Sequence, residues 1–474
     1  MTVKKQKFFI NGEWIGGKKY FDLLSPYTEE KIASIPVATN ENVEKAIQSA
    51  EDASILMKQL TLLERAEILE KVVNIFNANF EDCAQILSLE NAKPITSARQ
   101  EIQRTIETYS FAASEAKSIA GEIIPMDAAK SGKGKFGFTK KEPVGVIAAI
   151  TPFNFPFNLV AHKLGPAFAM GNTVVLKPAS QTPLSAIMTA EIFEKAGLPK
   201  GALNLIYGSG STVGELLTKS EKIKMITFTG SVEVGKKIRA NAGLKTVTLE
   251  LGSNSAVIID SVEDIEETAR RCLEGAFGYS GQTCISVQRI YVQKELYNQF
   301  LDSIKLQSRD IKVGSPEEEE TIVTSLISKK EAKRVEEWIN ENNSSQILVG
   351  GERENSIVEP TILTNVDASA SVSCKEVFGP VVTIDQYEDL SEAISKVNNS
   401  EYGLQAGIYT TSIKQAFEAF EQLEVGGVII NDIPTFRVDQ MPYGGRKNSG
   451  IGKEGIRFSM EEMSELKLGV FNLN

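Results

Sequence analysis

The chain has 474 residues, too many for one compact core, so two or three domains are expected. Its 42% hydrophobic and 24% charged content is that of a soluble globular enzyme, and a net charge of −11 argues against a nucleic-acid-binding surface. Four cysteines, at 83, 272, 284 and 374, form no C-x-x-C pair and fit a reducing cytoplasm, while the single histidine, His162, argues against a metal site of the His-rich zinc types. The apolar run at Phe8–Ile10 is too short for a signal peptide, and no stretch is long enough to span a membrane.

Residues 40–120 read as helices. Val43, Ala46, Ile47 and Ala50 make one apolar stripe; Leu63, Ala66, Leu69, Val72, Val73 and Phe76 make another. Residues 124–142, rich in glycine and lysine, read as a protruding hairpin whose exposed strands would pair with a second subunit. From 143 the pattern changes. Strand-like runs at Val144–Ile150, Thr173–Leu176, Leu203–Tyr207, Met225–Thr229 and Thr246–Leu251 alternate with helical patterns at Asn158–Met170, Leu184–Ala196, Thr212–Thr218 and Glu233–Ala242. That alternation predicts βαβ units and a parallel sheet covered on both faces. A second series has strands at Gln288–Val292, Val381–Tyr387, Ala406–Thr410 and Val428–Asn431, with helices near 262–277, 294–308, 329–342, 389–398 and 412–423. The predicted fold class is therefore α/β with two parallel-sheet domains.

Chemistry-bearing residues fall at strand ends and loops of this scheme. Cys284 sits in Gly278-Tyr-Ser-Gly-Gln-Thr-Cys-Ile-Ser, a run with neither an apolar stripe nor a helical period. Buried, inert cysteine is the ordinary alternative and suits Cys83, Cys272 and Cys374. Glu250, at a strand end between leucines, is costly there unless paired or used, and burial would raise its pKa toward that of a general base. Asn154, in Thr151-Pro-Phe-Asn-Phe-Pro-Phe, supplies an amide donor. Thiol, base and amide are the parts needed for covalent chemistry at a carbonyl.

Other runs point to a nucleotide. Lys177 follows a strand and reads either as a phosphate or ribose contact or as a solvated turn lysine. Gly208-Ser-Gly-Ser-Thr-Val-Gly approximates a dinucleotide fingerprint with one residue too many before its third glycine, Gly214. Gly230 and Ser231 open a helix, where free N–H groups favour a pyrophosphate; Lys237 stands where a P-loop needs Ser or Thr, which argues against an ATPase. Glu376 and Phe378 read as a ribose and ring contact, or as a surface glutamate and a core phenylalanine. His162 reads as a capping or structural residue.

Taken together, these runs resemble the aldehyde dehydrogenase superfamily. Thr151–Phe157, Lys177–Ser180, Phe228–Ser231, Leu249–Gly252, Gly281–Cys284, Glu376–Pro380, and Pro442–Gly445 with Ser449-Gly-Ile-Gly match it in order. The resemblance implies a Rossmann-like cofactor domain (1–123 and 143–252), a catalytic domain (253–448), and an oligomerisation arm with the C-terminal segment (124–142 and 449–474). It implies Cys284 as nucleophile, Glu250 as base, Asn154 as oxyanion donor and Glu454 as a second glutamate in proton relay. NAD or NADP would be held by Thr151, Pro152, Phe153, Lys177, Ser180, Gly210, Gly214, Gly230, Ser231, Leu251, Glu376 and Phe378. Substrate contacts would be Arg104, Phe155, Thr283, Ile285 and Arg437. A homodimer or homotetramer is expected.

Three departures matter. Ser253 stands where the family usually has glycine. Ser180 replaces a glutamate common in NAD-preferring members, so a 2′-phosphate is not repelled and NADP use is allowed. Thr283 replaces the arginine of members acting on glyceraldehyde 3-phosphate, which weakens a phosphorylated substrate. Residues 424–431 with Phe436-Arg-Val-Asp-Gln-Met-Pro-Tyr-Gly-Gly resemble the lactaldehyde dehydrogenase branch. A lactaldehyde-like substrate is expected first, with succinate semialdehyde or glyceraldehyde 3-phosphate as alternatives. A catalytically idle nucleotide-binding member is the alternative of a different class.

Overall fold

A computed structural model describes residues 4–341 and 345–473. Four helices, Asn40–Gln59, Leu62–Ala78, Phe80–Asn91 and Ile95–Ala116, occupy the region predicted helical. Thr39 and Thr61 open the first two with reciprocal capping boxes, which satisfy otherwise orphaned N–H groups. The predicted stripes face inward, except that Leu63 is exposed and Val73 only partly buried. Phe76 stacks on Tyr109 at 5.5 Å and meets Phe157 edge-on at 5.8 Å. Phe157 thereby anchors the end of the Thr151–Phe157 loop in the core.

The first sheet runs, in spatial order, Gly450–Ile451, Thr246–Glu250, Ile223–Thr229, Val146–Ile150, Thr173–Lys177, Leu203–Leu205, Phe8–Ile10 and Glu13–Ile15. Its five central strands are parallel and its outer strands antiparallel. Val146–Ile150 and Thr173–Lys177 are buried at every residue, which explains their unbroken apolar runs. The chain steps from Val146–Ile150 to one side, then returns to place Ile223–Thr229 on the other. The crevice at such a reversal, beyond the strands' carboxyl ends, is where open α/β sheets bind ligands. Helix Asn158–Met170 is buried throughout, so even His162 and Lys163 point into protein.

The second sheet has the order Gln346–Val349, Thr361–Thr364, Val381–Tyr387, Arg289–Gln293, Ala256–Ile259, Gln405–Tyr409 and Gly427–Ile430. All its pairings are parallel except that of Gln346–Val349. A third, antiparallel sheet joins Ile123–Ile124, Lys135–Pro143 and Ser464–Asn472. The 124–142 hairpin is thus present. Its aromatic residues Phe136, Phe138 and Phe471 cluster on an exposed face.

The structure refines several expectations. Both large sheets are mixed rather than purely parallel, because N-terminal, C-terminal and 346–349 segments add antiparallel edges. Ala256–Ile259 and Thr361–Thr364 are strands the sequence reading passed over. The helix expected at Thr212–Thr218 is a π-turn over Gly210–Gly214 followed by Glu215–Lys219. The segment from 449 divides: Gly450–Ile451 extends the first sheet, and only Ser464–Asn472 joins the hairpin.

Candidate active site

The loop carrying Cys284 is tight. Tyr279 and Ser280 adopt left-handed backbone angles, φ 51° and 54°, unusual for residues with side chains. Gly281 follows at φ 69°, and a Cβ there would stand 2.2 Å from the Gly379 carbonyl oxygen. Ser280 Oγ donates to the Thr324 carbonyl at 3.0 Å and accepts from the Thr324 N–H at 2.9 Å, holding the turn. Cys284 emerges half-buried into a cavity of about 1030 Å³ between the two large sheets.

That cavity gathers most of the predicted residues. Thr151, Pro152, Phe153 and Asn154 line it from the crevice of the first sheet. Lys177, Gly210, Gly230 and Ser231 line it from neighbouring strand ends, and Glu250 and Leu251 from the next. Glu376 and Phe378 close it from the second sheet, with Arg437 and Glu454 at the thiol end. Ser180 is half-buried between Ala179 and Gln181, two residues that do line the wall. Gly214, Arg104, Phe155, Thr283 and Ile285 are not among the lining residues. Ile285 is buried with Leu404 and Tyr443 as an apolar bed against Cys284, and Phe155 packs edge-on to Tyr279 at 6.1 Å. Arg104 is spent on Asp439, at 2.7 and 3.3 Å.

Around the thiol, Tyr443 Oη lies 3.0 Å from Cys284 Sγ. Burial pushes the Cys284 thiol up to about 11, against the opposing pull of the Tyr443 hydrogen bond and the Arg437 charge. Asn154 is buried and donates Nδ2 to the Gln282 carbonyl at 3.0 Å; the amide's other hydrogen remains for a ligand.

Glu250 is buried, and neither carboxyl oxygen has a hydrogen-bond partner. Burial, reinforced by the charge of Glu454, holds its pKa well above the usual carboxylate range. Glu454 is equally buried but takes Lys163 Nζ at 3.0 Å and an Arg437 nitrogen at 3.1 Å. Burial alone would raise it; the charges of Lys163, His162 and Arg437 outweigh that and bring it down to about 2. Two carboxyl groups in one site, pushed in opposite directions, are the usual basis of acid and base assignments. Arg437 also lies 3.7 Å over the Tyr443 ring, and its Nε is unpartnered. His162 Nε2 lies 2.8 Å from Asp439 Oδ1, so His162 is a buried structural residue. It sits mid-helix rather than at a cap.

The far end of the cavity suits a dinucleotide. Gly230 and Ser231 precede helix Val232–Asn241, whose first N–H groups and dipole favour a phosphate. A Cβ on Gly230 would meet the Phe228 ring at 2.6 Å, and one on Gly252 would meet Glu376 Oε2 at 2.4 Å, so a side chain at either position would displace a residue that lines the cavity. Glu376 accepts the Ser253 N–H at 3.0 Å, yet burial raises it to about 7. Lys177 is buried with only the Pro178 carbonyl at 3.3 Å, and burial lowers it to about 8. The Ser253 hydroxyl turns to Ser255 Oγ at 3.1 Å and leaves Glu250 alone.

A model of the aldehyde dehydrogenase family matches residues 14–468. The chain belongs to the aldehyde dehydrogenase family. It is 46% identical over 473 residues to a 3-sulfolactaldehyde dehydrogenase of Priestia aryabhattai, covering 99% of each chain. It is 42% identical to a lactaldehyde dehydrogenase of Methanococcus aeolicus, covering 98% of this chain and 99% of that one. Among solved structures it superposes on aldehyde dehydrogenase 21 from Physcomitrella patens, in complex with the reaction product succinate. The TM-score is 0.98 at 42% identity, with 100% and 99% of the two chains covered. As an aldehyde dehydrogenase the chain is an NAD(P)-dependent oxidoreductase, and the cleft has the parts to hold that cofactor.

The sequence reading missed Tyr443, which touches the thiol, and Lys163, which neutralises Glu454. Tyr443 had a signal: an aromatic residue inside the Pro442–Gly445 run. Lys163 had none, since a lysine in an apolar helix reads as its solvated face. No helix among the described residues is long and apolar enough to cross a membrane.

Proposed function

We propose that the enzyme oxidises a small 2-hydroxyaldehyde of the lactaldehyde type, with an anionic tail favoured, to the carboxylic acid. The observation that carries this reading is the convergence of Cys284, Asn154 and Glu250 on one cavity. Cys284 Sγ gives its proton to water in the cavity, past Tyr443 whose hydroxyl touches the sulfur, and attacks the aldehyde carbon, whose C=O electron pair moves onto the oxygen. The resulting oxyanion is met by the free Nδ2 hydrogen of Asn154 and by the Cys284 N–H. A bound nicotinamide supplies the hydride acceptor. Cys284 then carries a thioester. Glu250, in its ionised form, takes a proton from water; the hydroxide adds to the thioester carbon and displaces the Cys284 thiolate, and the proton returned by Glu250 restores the thiol as the acid leaves.

An anionic tail is supported by Arg437, a buried cation in the cavity wall. Glu454 neutralises only part of its bonding capacity. Arg104, held by Asp439, is assigned to structure instead. Comparison of kcat/KM for lactaldehyde, 3-sulfolactaldehyde, succinic semialdehyde and glyceraldehyde 3-phosphate tests this. Preference for an anionic three-carbon 2-hydroxyaldehyde supports it; preference for long neutral aldehydes contradicts it.

Either NAD or NADP is accepted in this reading, since Ser180 brings no negative charge to the wall formed by Ala179 and Gln181. Comparable kcat/KM for the two cofactors is expected. We further assign Thr246–Glu250 and its sheet to the cofactor domain and Ala256–Ile259 and its sheet to the catalytic domain. The exposed aromatic face of the third sheet is assigned to a homodimer or homotetramer contact, and the protein to the cytoplasm.

A further inference from the structure

The loop that carries Asn154 is gripped from outside at four backbone atoms. Asn91 Nδ2 donates to the Phe153 carbonyl at 2.7 Å. Lys93 Nζ donates to the Asn154 carbonyl at 2.6 Å. Glu101 Oε1 accepts the Phe157 and Asn158 N–H groups at 2.9 and 3.2 Å. The other Glu101 oxygen pairs with Lys93, and both side chains are fully buried.

Lys93 also reaches the thiol loop. Its ammonium lies 3.8 Å from the Phe155 ring centroid and 4.3 Å from that of Tyr279, within cation–π range of both. Tyr279 donates its hydroxyl to Asn91. One buried ammonium thus touches the backbone of the amide donor, the ring beside it, and a ring in the strained turn before Cys284. A buried ion pair adds little to stability compared with apolar residues of similar volume. What this pair supplies is geometry. Asn154 hands its Nδ2 to Gln282 on the thiol loop, and its carbonyl to Lys93, so its orientation is fixed at both ends.

We infer that Lys93, held by Glu101, is a positioning residue for the carbonyl-oxygen site: it sets where Asn154 Nδ2 stands relative to Cys284. The inference rests on Asn154 as the oxyanion donor. Lys93 touches no reacting atom, and acts only where an oxyanion forms.

Removing Lys93 alone strands a buried carboxylate and threatens folding. The informative variant is therefore Lys93→Met with Glu101→Gln. The glutamine oxygen still accepts the Phe157 and Asn158 N–H groups, while the grip on the Asn154 carbonyl and the ammonium's contacts with the Phe155 and Tyr279 rings are lost. Two reactions of the full-length enzyme are compared. Hydrolysis of 4-nitrophenyl acetate passes through an oxyanion. Alkylation of Cys284 by iodoacetamide, followed by peptide mass, does not. The expected result is a loss of kcat for ester hydrolysis of roughly 10- to 100-fold, the scale of a misplaced catalytic group, with alkylation within about twofold of wild type. In an Asn154→Ala background the same pair of changes should have no further effect on hydrolysis. Equal losses in both reactions, or an undiminished loss in the Asn154→Ala background, would overturn the inference. Wild-type hydrolysis by the double variant, with Asn154→Ala impaired, overturns it alone. Wild-type hydrolysis by Asn154→Ala overturns the oxyanion reading as well.

Discussion

On one side of Cys284, around Asn154, polar groups are tied down. The amide is held at its carbonyl and at one hydrogen, and the loop's N–H groups end on Glu101. On the other side, Glu250 is just as buried and has no partner for either oxygen. In the proposed mechanism the first arrangement fixes a donor where charge would develop, so little reorganisation would remain at the moment of attack. The second leaves a carboxyl group with a raised pKa and no partner for either oxygen. Glu454 shows that burial alone does not create this state. With Lys163 and Arg437 beside it, an equally buried carboxylate stays ionised.

The largest expected effect comes from Cys284→Ala, which removes the group both sides serve. Dehydrogenase activity should fall by about 10⁴-fold or more, the scale seen when a covalent nucleophile is deleted. Substantial turnover in this variant would break the comparison outright. Asn154→Ala removes the fixed side only. Its kcat should drop roughly 10²- to 10³-fold, the cost of one oxyanion donor, while cofactor affinity measured by titration stays near wild type.

Glu454→Gln sharpens the other side. It removes the negative charge that helps to raise Glu250 and frees Lys163 and Arg437 to lower it, so both changes favour ionised Glu250. Activity that depends on ionised Glu250 rises with pH through its pKa. In the variant that rise should move to lower pH, with kcat at its plateau changed by less than about tenfold. A shift to higher pH would contradict the like-charge coupling. The smallest effect concerns Lys177, lowered to about 8 by burial. It is charged below that pH and neutral above, so affinity for an anionic cofactor should weaken severalfold between pH 7 and 9. Lys177→Met should flatten that dependence.

The tied and untied sides were unequally legible in the sequence. Helix Asn158–Met170 and strand Val381–Tyr387 were read with their observed ends: the helix is buried at every residue and the strand over its first four, Val381 to Ile384. Cys284, Glu250 and Asn154 stood out because each breaks its local pattern. Ala256–Ile259, an interior strand of the second sheet, was passed over: it follows the first sheet's last central strand after only a five-residue connection, so the two runs blur. The antiparallel edges come from segments distant in sequence, a pairing no local period reveals. Arg104 and Arg437 look alike as charged residues, and only the structure shows Asp439 consuming one while the other faces the cavity. Lys93 and Glu101 carry no local signal either. Their pairing closes a turn after Ala92, at φ 52°, and becomes meaningful only once the Asn154 loop is laid against it.

The division of labour between the two sides is tested most directly by pre-steady-state NAD(P)H formation in Glu250→Gln. Excess aldehyde and cofactor are mixed with the variant, and absorbance is followed through the first turnover. The expected result is a burst of about one equivalent of NAD(P)H per active site, then steady turnover slower than wild type by roughly 100-fold or more, as the thioester waits for its base. Steady turnover at the wild-type rate would contradict the role given to Glu250. Loss of the burst with Cys284 still open to alkylation would also contradict it, by placing Glu250 in the attack rather than in the release.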